Sequence, residues 1–219
     1  MSDVWDLAPV TDGDFETIRA YVAAQRAAWE LDLTSALGEL SAHLIQAGYL
    51  VLDGTRRSAV MTGRGTLAAG EVVMSGRVKQ TDAIVAKMRR FGEPLRVMLD
   101  IFGFRVVVAA EEDLDAVAER CAELWATPTP AELLLRHGAL QFDWWRDYGK
   151  RSHAGLSGAT TAGYDQAVHL NRRTPFGIAE IQVLTVGLFR RVHCDPASTD
   201  SHDRFVARRE ALFRDAGGE

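Results

Sequence analysis

Near the start of the chain apolar residues recur every third or fourth position: Phe15, Ile18, Tyr21, Val22 and Trp29, then Leu33, Leu37, Leu40 and Leu44. That is the spacing of one buried helix face, and it predicts two amphipathic helices. Gly48 and Asp53-Gly54 then punctuate the chain. Glu71 to Val78 predicts a strand, and Thr81 to Arg90 a helix capped near Thr81. Arg96 to Ala109 is rich in β-branched and aromatic residues, the signature of a buried strand. Asp113 to Trp125 sets Leu114, Val117, Cys121, Leu124 and Trp125 on one helix face, and Thr127-Pro128-Thr129-Pro130 ends it. Leu133 to Tyr148 predicts a further helix. Gly149 to Gly163, with its glycines, serines and threonines, predicts a mobile loop. Tyr164 to Leu170 and Ile178 to Val183 pair as a hairpin around Arg173-Thr174-Pro175-Phe176-Gly177, and two short helices close the chain, the last near Ser201 to Asp215. Strands interspersed with helices predict an α/β or α+β sheet with helices packed on it.

Composition narrows the class. With 219 residues, 47% of them hydrophobic and only 6 prolines, the chain can bury the core of one domain. Its net charge of −5 gives no general attraction for duplex DNA. Four local basic pairs stand out: Arg56-Arg57, Arg172-Arg173, Arg190-Arg191 and Arg208-Arg209. The plain expectation for each is a solvated face. Cys121 occupies an apolar helix position and is expected in the core. Cys194 lies in His193-Cys194-Asp195 with His202 nearby, but closed zinc sites want four well-spaced ligands, usually with paired cysteines, so zinc is not expected. The opening Met1-Ser2-Asp3-Val4-Trp5-Asp6 has no basic segment followed by an apolar run. The most apolar stretch, Arg96 to Ala110, is interrupted by Asp100 and Arg105 and is too short to span a bilayer. A cytoplasmic protein with no membrane partner is expected.

Three features carry candidate chemistry. Arg77 and Lys79 share a strand face, and Ala83, Lys87 and Arg90 share a face of the helix that follows. That helix presents free N–H groups and a positive dipole end at its start, so cations from both elements could converge on a polyphosphate. The plain alternative is a basic surface helix beside a strand. Next, Asp100-Ile101-Phe102-Gly103-Phe104-Arg105 sets an aspartate and an arginine inside an apolar strand, which is costly unless they are paired or functional. Strict alternation sends Asp100 and Arg105 to opposite faces, so a shared site requires a break, and Gly103 is the natural place for a bulge. Finally, Glu180-Ile181-Gln182 puts Glu180 and Gln182 on one face of a late strand. A carboxylate on each of two strands is a usual way to hold Mg²⁺ beside a polyphosphate.

In order along the chain, Arg-x-Lys, a helix with Lys and Arg, Asp-x-x-Gly-x-Arg, Gly163-Tyr164 with His169, and Glu-Ile-Gln resemble the synthetase domain of RelA/SpoT proteins. The likeness is strongest to the stand-alone small alarmone synthetases. It covers roughly residues 70–185. It implies an α+β fold with a mixed central β-sheet flanked by helices, nucleotidyltransferase-like, in a single domain over 1–219. Within that domain, N-terminal helices would occupy 1–48, the catalytic core 70–185 and C-terminal helices 186–219. It also implies an ATP diphosphotransferase of the GTP/GDP pyrophosphokinase kind, with Mg²⁺ as cofactor and β,γ-pyrophosphate moving from ATP to a 3′-hydroxyl. By the same resemblance Arg77 and Arg105 sandwich the adenine, Lys79, Lys87 and Arg90 hold the phosphates, and Asp100 binds the metal. Glu180 is then a second metal ligand or the base, while Tyr164, His169 and Gln182 serve the acceptor.

On the donor side the family's serine before Ile84 is Ala83 here. On the acceptor side more has changed. Thr160 stands where a lysine is usual, Tyr164 and His169 are five residues apart where the family spaces them four apart, and Leu184 replaces an arginine. An asparagine is replaced near Phe189. Three readings remain open: synthesis of a (p)ppGpp-type alarmone from GDP or GTP, or of an adenine analogue from ATP; a toxic member that modifies the 3′-terminal adenosine of tRNA, with an antitoxin protein as partner; or a non-catalytic nucleotide-binding regulator. Homo-oligomerisation is compatible with each.

Overall fold

The structure, a computed structural model, describes residues 12–91, 101–127, 145–147, 167–175 and 177–197. Its first element, α1 (Asp12–Gln46), is one helix where the apolar spacing suggested two. The buried positions Phe15, Ile18, Val22, Trp29, Leu33, Ala36, Leu40 and Leu44 form one uninterrupted stripe. No proline separates Trp29 from Leu33, so nothing breaks the hydrogen-bond ladder there. The helix ends where Gly48 turns to φ 95° and the Tyr49 N–H reaches back to the Leu44 carbonyl at 3.1 Å, a left-handed C-terminal stop.

Two elements come next that hydrophobic periodicity did not reveal, β1 (Leu50–Leu52) and α2 (Gly54–Met61). Both are too short to show a period. Then come β2 (Glu71–Val78), α3 (Thr81–Phe91), β3 (Phe102–Val108) and α4 (Glu112–Leu124). The expected boundaries hold for β2 and to within a residue for α3 and α4. Where a helix was expected up to Tyr148, Trp145–Asp147 is instead β4. The rest of that expected helix, the Gly149 to Gly163 loop and the closing helix near Ser201 lie outside the described residues. The expected hairpin is present as β5 (Val168–Thr174) and β6 (Gly177–Thr185). A short helix, α5 (Val186–Phe189), and a π-helical turn (Arg190–Cys194) come after it.

The six strands form one sheet in the order β1-β2-β3-β6-β5-β4. Pairing is parallel for β1–β2 and β3–β6 and antiparallel elsewhere. The sheet is therefore mixed, with helices packed on it, as an α+β fold requires. No bulge interrupts β3. Gly103 stays in register with Arg77 on one side and Glu180 on the other. Asp100 precedes the strand, outside the described residues, so strand alternation does not decide which way it faces.

Directly opposed residues share a face of a sheet, and the register sorts the faces cleanly. One carries Val72, Met74, Val78, Phe102, Phe104, Val106, Ile181, Val183, Val168 and Leu170, packed against α1, α3 and α4 as the larger hydrophobic cluster. Trp29 meets Phe102 edge-on at 5.6 Å, and Phe104 lies 5.5 Å from Trp125. Gly76 belongs to this face. A Cβ there would come within 2.9 Å of Leu37 Cδ1 and 3.2 Å of Leu33, so the glycine lets α1 lie close on the strand.

Candidate active site

The opposite face is apolar at one end and polar at the other. At the apolar end Leu52, Val73, Val107 and Leu184 form a cross-strand row beneath Val60, Leu188, Phe189 and Val192. Beyond it, one row runs Ser75, Arg105, Gln182, His169 across β2, β3, β6 and β5, and the next runs Arg77, Gly103, Glu180, Asn171. Alternation produces these rows: residues two apart on each strand face the same way, so chemistry-bearing side chains at 75/77, 103/105, 180/182 and 169/171 converge.

Four residues singled out from the sequence are joined in a hydrogen-bonded chain. Arg105 donates to Gln182 Oε1 at 3.5 Å, the outer limit for such a bond. Gln182 Nε2 donates to Glu180 Oε2 at 3.2 Å, and His169 Nδ1 lies 3.0 Å from Glu180 Oε1. The directions are mutually consistent: guanidinium to amide oxygen, amide N–H to carboxylate. An ionised carboxylate only accepts, so the His169 proton sits on Nδ1. His169 is buried at 7% exposure, while Glu180, Gln182 and Arg105 are half-buried.

Arg77 lies on the same face, exposed, directly opposite Gly103. A Cβ on Gly103 would sit 3.8 Å from Arg77 Cγ, so that glycine leaves the arginine a lane across the strand. Lys79 follows the end of β2. Its N–H donates to the Ile101 carbonyl at 2.8 Å and its carbonyl accepts from Arg26 at 3.3 Å. Lys87 is half-buried on α3, whose Ile84, Val85 and Met88 belong to the larger cluster. The helix thus packs on the far side of the sheet from the polar rows, and Lys79 stands at the sheet end where Arg77 and Glu180 lie. For Arg90 only the backbone, within α3, is described. Asp100 and Tyr164 fall outside the described residues.

Arg105 has a neighbour the sequence did not suggest. The Thr185 side chain accepts from Leu188 N–H at 3.1 Å and caps α5, which brings the buried Phe189 ring back over the face. Its centroid is 5.6 Å from Arg105 Cζ, within cation–π range, and His193 stacks 5.3 Å beyond. Two departures from the family pattern are thereby linked. Leu184 is fully buried in the cluster that also holds Phe189, where a charged side chain would have no water. Ser75 and Asn171 were also missed. Their positions two residues from Arg77 and from His169 were the available signal.

The basic pairs do not behave alike. Arg172, expected on a solvated face, is 2% exposed on the core face, with its Nη1 donating to Thr127 at 2.9 Å. Burial pushes its pKa down. Strand alternation explains the split, because Arg173 next to it faces the other way and is exposed. Arg56 forms two bonds to Glu71, at 2.8 and 2.7 Å. Arg190 donates to the Gly65 carbonyl, and Arg208-Arg209 lie outside the described residues. Cys194 Sγ is 3.8 Å from the Met61 carbonyl. Burial raises its pKa, with Arg190 and Arg105 opposing that rise. Among the described residues no three His, Cys, Asp or Glu side chains gather as a metal site, and no helix is long and apolar enough to cross a membrane.

The two polar rows fall, Ser75 aside, within residues 76–187, which match the family described as "Region found in RelA / SpoT proteins". That span is just over half of the 219 residues, and the chain belongs to the RelA/SpoT family. The family is one of (p)ppGpp-type pyrophosphokinases. Among solved structures the chain is similar to small alarmone synthetase 1 from Bacillus subtilis bound to its product pppGpp. Identity is 21% and the TM-score 0.41, with 90% of this chain and 83% of that one covered. The AMPCPP-bound form of that protein gives 16%, 0.36, 90% and 81%. A GTP pyrophosphokinase family protein from Streptococcus pneumoniae gives 20%, 0.36, 87% and 91%. No curated protein matches the chain.

Proposed function

We propose that the chain moves the β,γ-pyrophosphate of ATP onto the 3′-hydroxyl of a purine nucleotide. The observation that carries this reading is the Arg105–Gln182–Glu180–His169 chain on one open face of the sheet, within the family region. Two donors fix the Glu180 carboxylate from either side, as a group that must meet a hydroxyl in one geometry requires. The acceptor's 3′-oxygen attacks the β-phosphorus in line, and its proton passes to Glu180. The bond from the β-phosphorus to the α,β-bridging oxygen breaks, and AMP leaves with that oxygen.

Arg77 and Arg105 hold the adenine between planar guanidinium groups. Phe189 supports Arg105 from one side. Lys79, Lys87 and Arg90 neutralise the polyphosphate, and such positioning and charge neutralisation is most of the catalysis phosphoryl transfer needs. Carboxylate oxygens are the donors that suit Mg²⁺, so Asp100, together with Glu180, would hold that ion. When bound, the ion supplies charge stabilisation on the phosphoryl oxygens. Tyr164 stacks on the acceptor base.

Incubation with γ-³²P-ATP and, separately, GDP, GTP, ATP and bulk tRNA tests the reading. Label on a nucleotide with AMP as co-product is expected. Label on tRNA alone would replace the alarmone reading with the toxin one. ADP as the main co-product, or no transfer at all, would overturn the reading.

A further inference from the structure

Asn171 and Ser75 are the members of the two polar rows that neither the sequence pattern nor the hydrogen-bonded chain accounts for, and of the two Asn171 is the buried one. It stands on β5 directly opposite Glu180, two residues from His169, and only 7% of its surface is exposed. An amide with so little surface left has few waters to bond and gains from a partner. Yet among the described residues its side chain makes no hydrogen bond, while its row neighbour Glu180 is bonded on both carboxylate oxygens. A residue so largely covered, with its amide still reaching the face that carries Glu180, is set to be completed by a ligand.

The ligand's chemistry is set by the neighbours. Directly opposed side chains on antiparallel strands start about 5 Å apart at Cβ, so whatever Glu180 grips, Asn171 meets the adjacent functional group. Glu180 accepts only. Asn171 both donates and accepts, the complement of a hydroxyl, which does the same. On a ribose whose 3′-hydroxyl rests on Glu180, the adjacent group is the 2′-hydroxyl, whereas the base lies farther off at C1′.

We propose that Asn171 is a specificity-determining residue that binds the acceptor's 2′-hydroxyl beside the 3′-hydroxyl held by Glu180, so that ribonucleotides are used in preference to 2′-deoxyribonucleotides. This rests on the pyrophosphate-transfer reading of the same face. A site built to bond a hydroxyl rejects the analogue lacking it, because its own buried group is then left unpaired.

The test compares kcat/KM for whichever nucleotide accepts label with that for its 2′-deoxy counterpart, in the parent chain, in Asn171→Ala and in the near-isosteric Asn171→Leu. The parent should favour the ribonucleotide by about tenfold or more, the effect of one hydrogen bond left unmade. Both variants should narrow that ratio to within about threefold, with the KM for ATP unchanged. An unchanged ratio in a folded variant, or no ribose preference in the parent, overturns the proposal. If either variant melts early, the parent's own ratio still decides. If the parent transfers no label, the transfer reading has failed. Calorimetric titration with GTP and 2′-dGTP then judges Asn171 separately: a ribose preference lost in Asn171→Leu supports it, and equal affinities reject it.

Discussion

The two faces of the central sheet are made from the same strands, often from adjacent residues, yet they answer to different physics. On one, Phe104 and Ile181 are closed under α1 and α4 with essentially no exposure. On the other, Arg105 and Gln182, one residue along each strand, stay half-open and joined to Glu180 and His169. A rigid apolar underside fixes the backbone, and the backbone fixes the spacing of the polar groups above it. Catalytic geometry held by strands in this way depends less on loops. The contrast predicts that substitutions on one face damage stability and on the other damage chemistry.

The largest effect expected on the open face is from Glu180→Gln. Pyrophosphate transfer should fall about 10²–10⁴-fold, the usual contribution of a positioned base, while the melting temperature stays near that of the parent. A large drop in Tm would dissolve the distinction between the faces. On the closed face, Phe104→Ala should cost about 3–5 kcal/mol in urea unfolding, and any activity lost should return with the folded fraction.

The glycines sharpen the comparison further. Gly76→Ala drives a methyl against the ends of Leu33 and Leu37 and should cost about 1 kcal/mol, the low end for overpacking because those side chains can shift. Gly103→Ala meets only ordinary contact with Arg77. It should leave urea stability unchanged or slightly raised, by up to about 0.5–1 kcal/mol, and show itself only as a weaker KM for ATP.

The smallest test uses the two thiols. Burial raises Cys121, beneath the closed face, to about 12. Cys194 is raised too, but the guanidinium groups of Arg190 and Arg105 oppose the shift. Iodoacetamide at pH 8 should therefore label Cys194 first and leave Cys121 unmodified until the chain unfolds, as peptide mapping would show. A thiol raised by folding contributes its stability below the unfolded thiol pKa and loses it as pH climbs toward the folded value. Melting temperatures should accordingly decline above about pH 9, and less so in Cys121→Ala.

Much of this contrast was legible in the chain. The alternation in β6 put Glu180 and Gln182 on one face, because period 2 is a local property that a strand cannot evade, whereas Arg105 was expected to need a bulge at Gly103 that β3 does not have. The features that escaped notice are those that depend on partners. Nothing in Val168–Thr174 says that Asn171 faces Glu180 until β5 is aligned with β6, and nothing around Phe189 says that α5 folds back onto Arg105. Arg172 misled for the same reason, since one charged residue beside another looks solvated until the strand is seen to turn the first inward. The single long α1 was misread by cutting a continuous stripe at a gap that carried no breaker.

The pairing of β3 with β6 carries a consequence for how the protein comes into being. These strands lie parallel at the middle of the sheet, yet residues 109–176 intervene between them. Parallel neighbours so far apart in sequence must close a large loop before any contact rewards them, which makes their meeting slow relative to helix formation or to the β5–β6 hairpin. Until β6 arrives, one edge of β3 stands open, with Phe102, Phe104 and Val106 in an apolar strand of the kind that invites pairing with another chain. Arg105 interrupts that run. The residue proposed to stack on adenine in the finished enzyme would, on the ribosome or during refolding, be the charge that keeps an unfinished sheet from joining its neighbours.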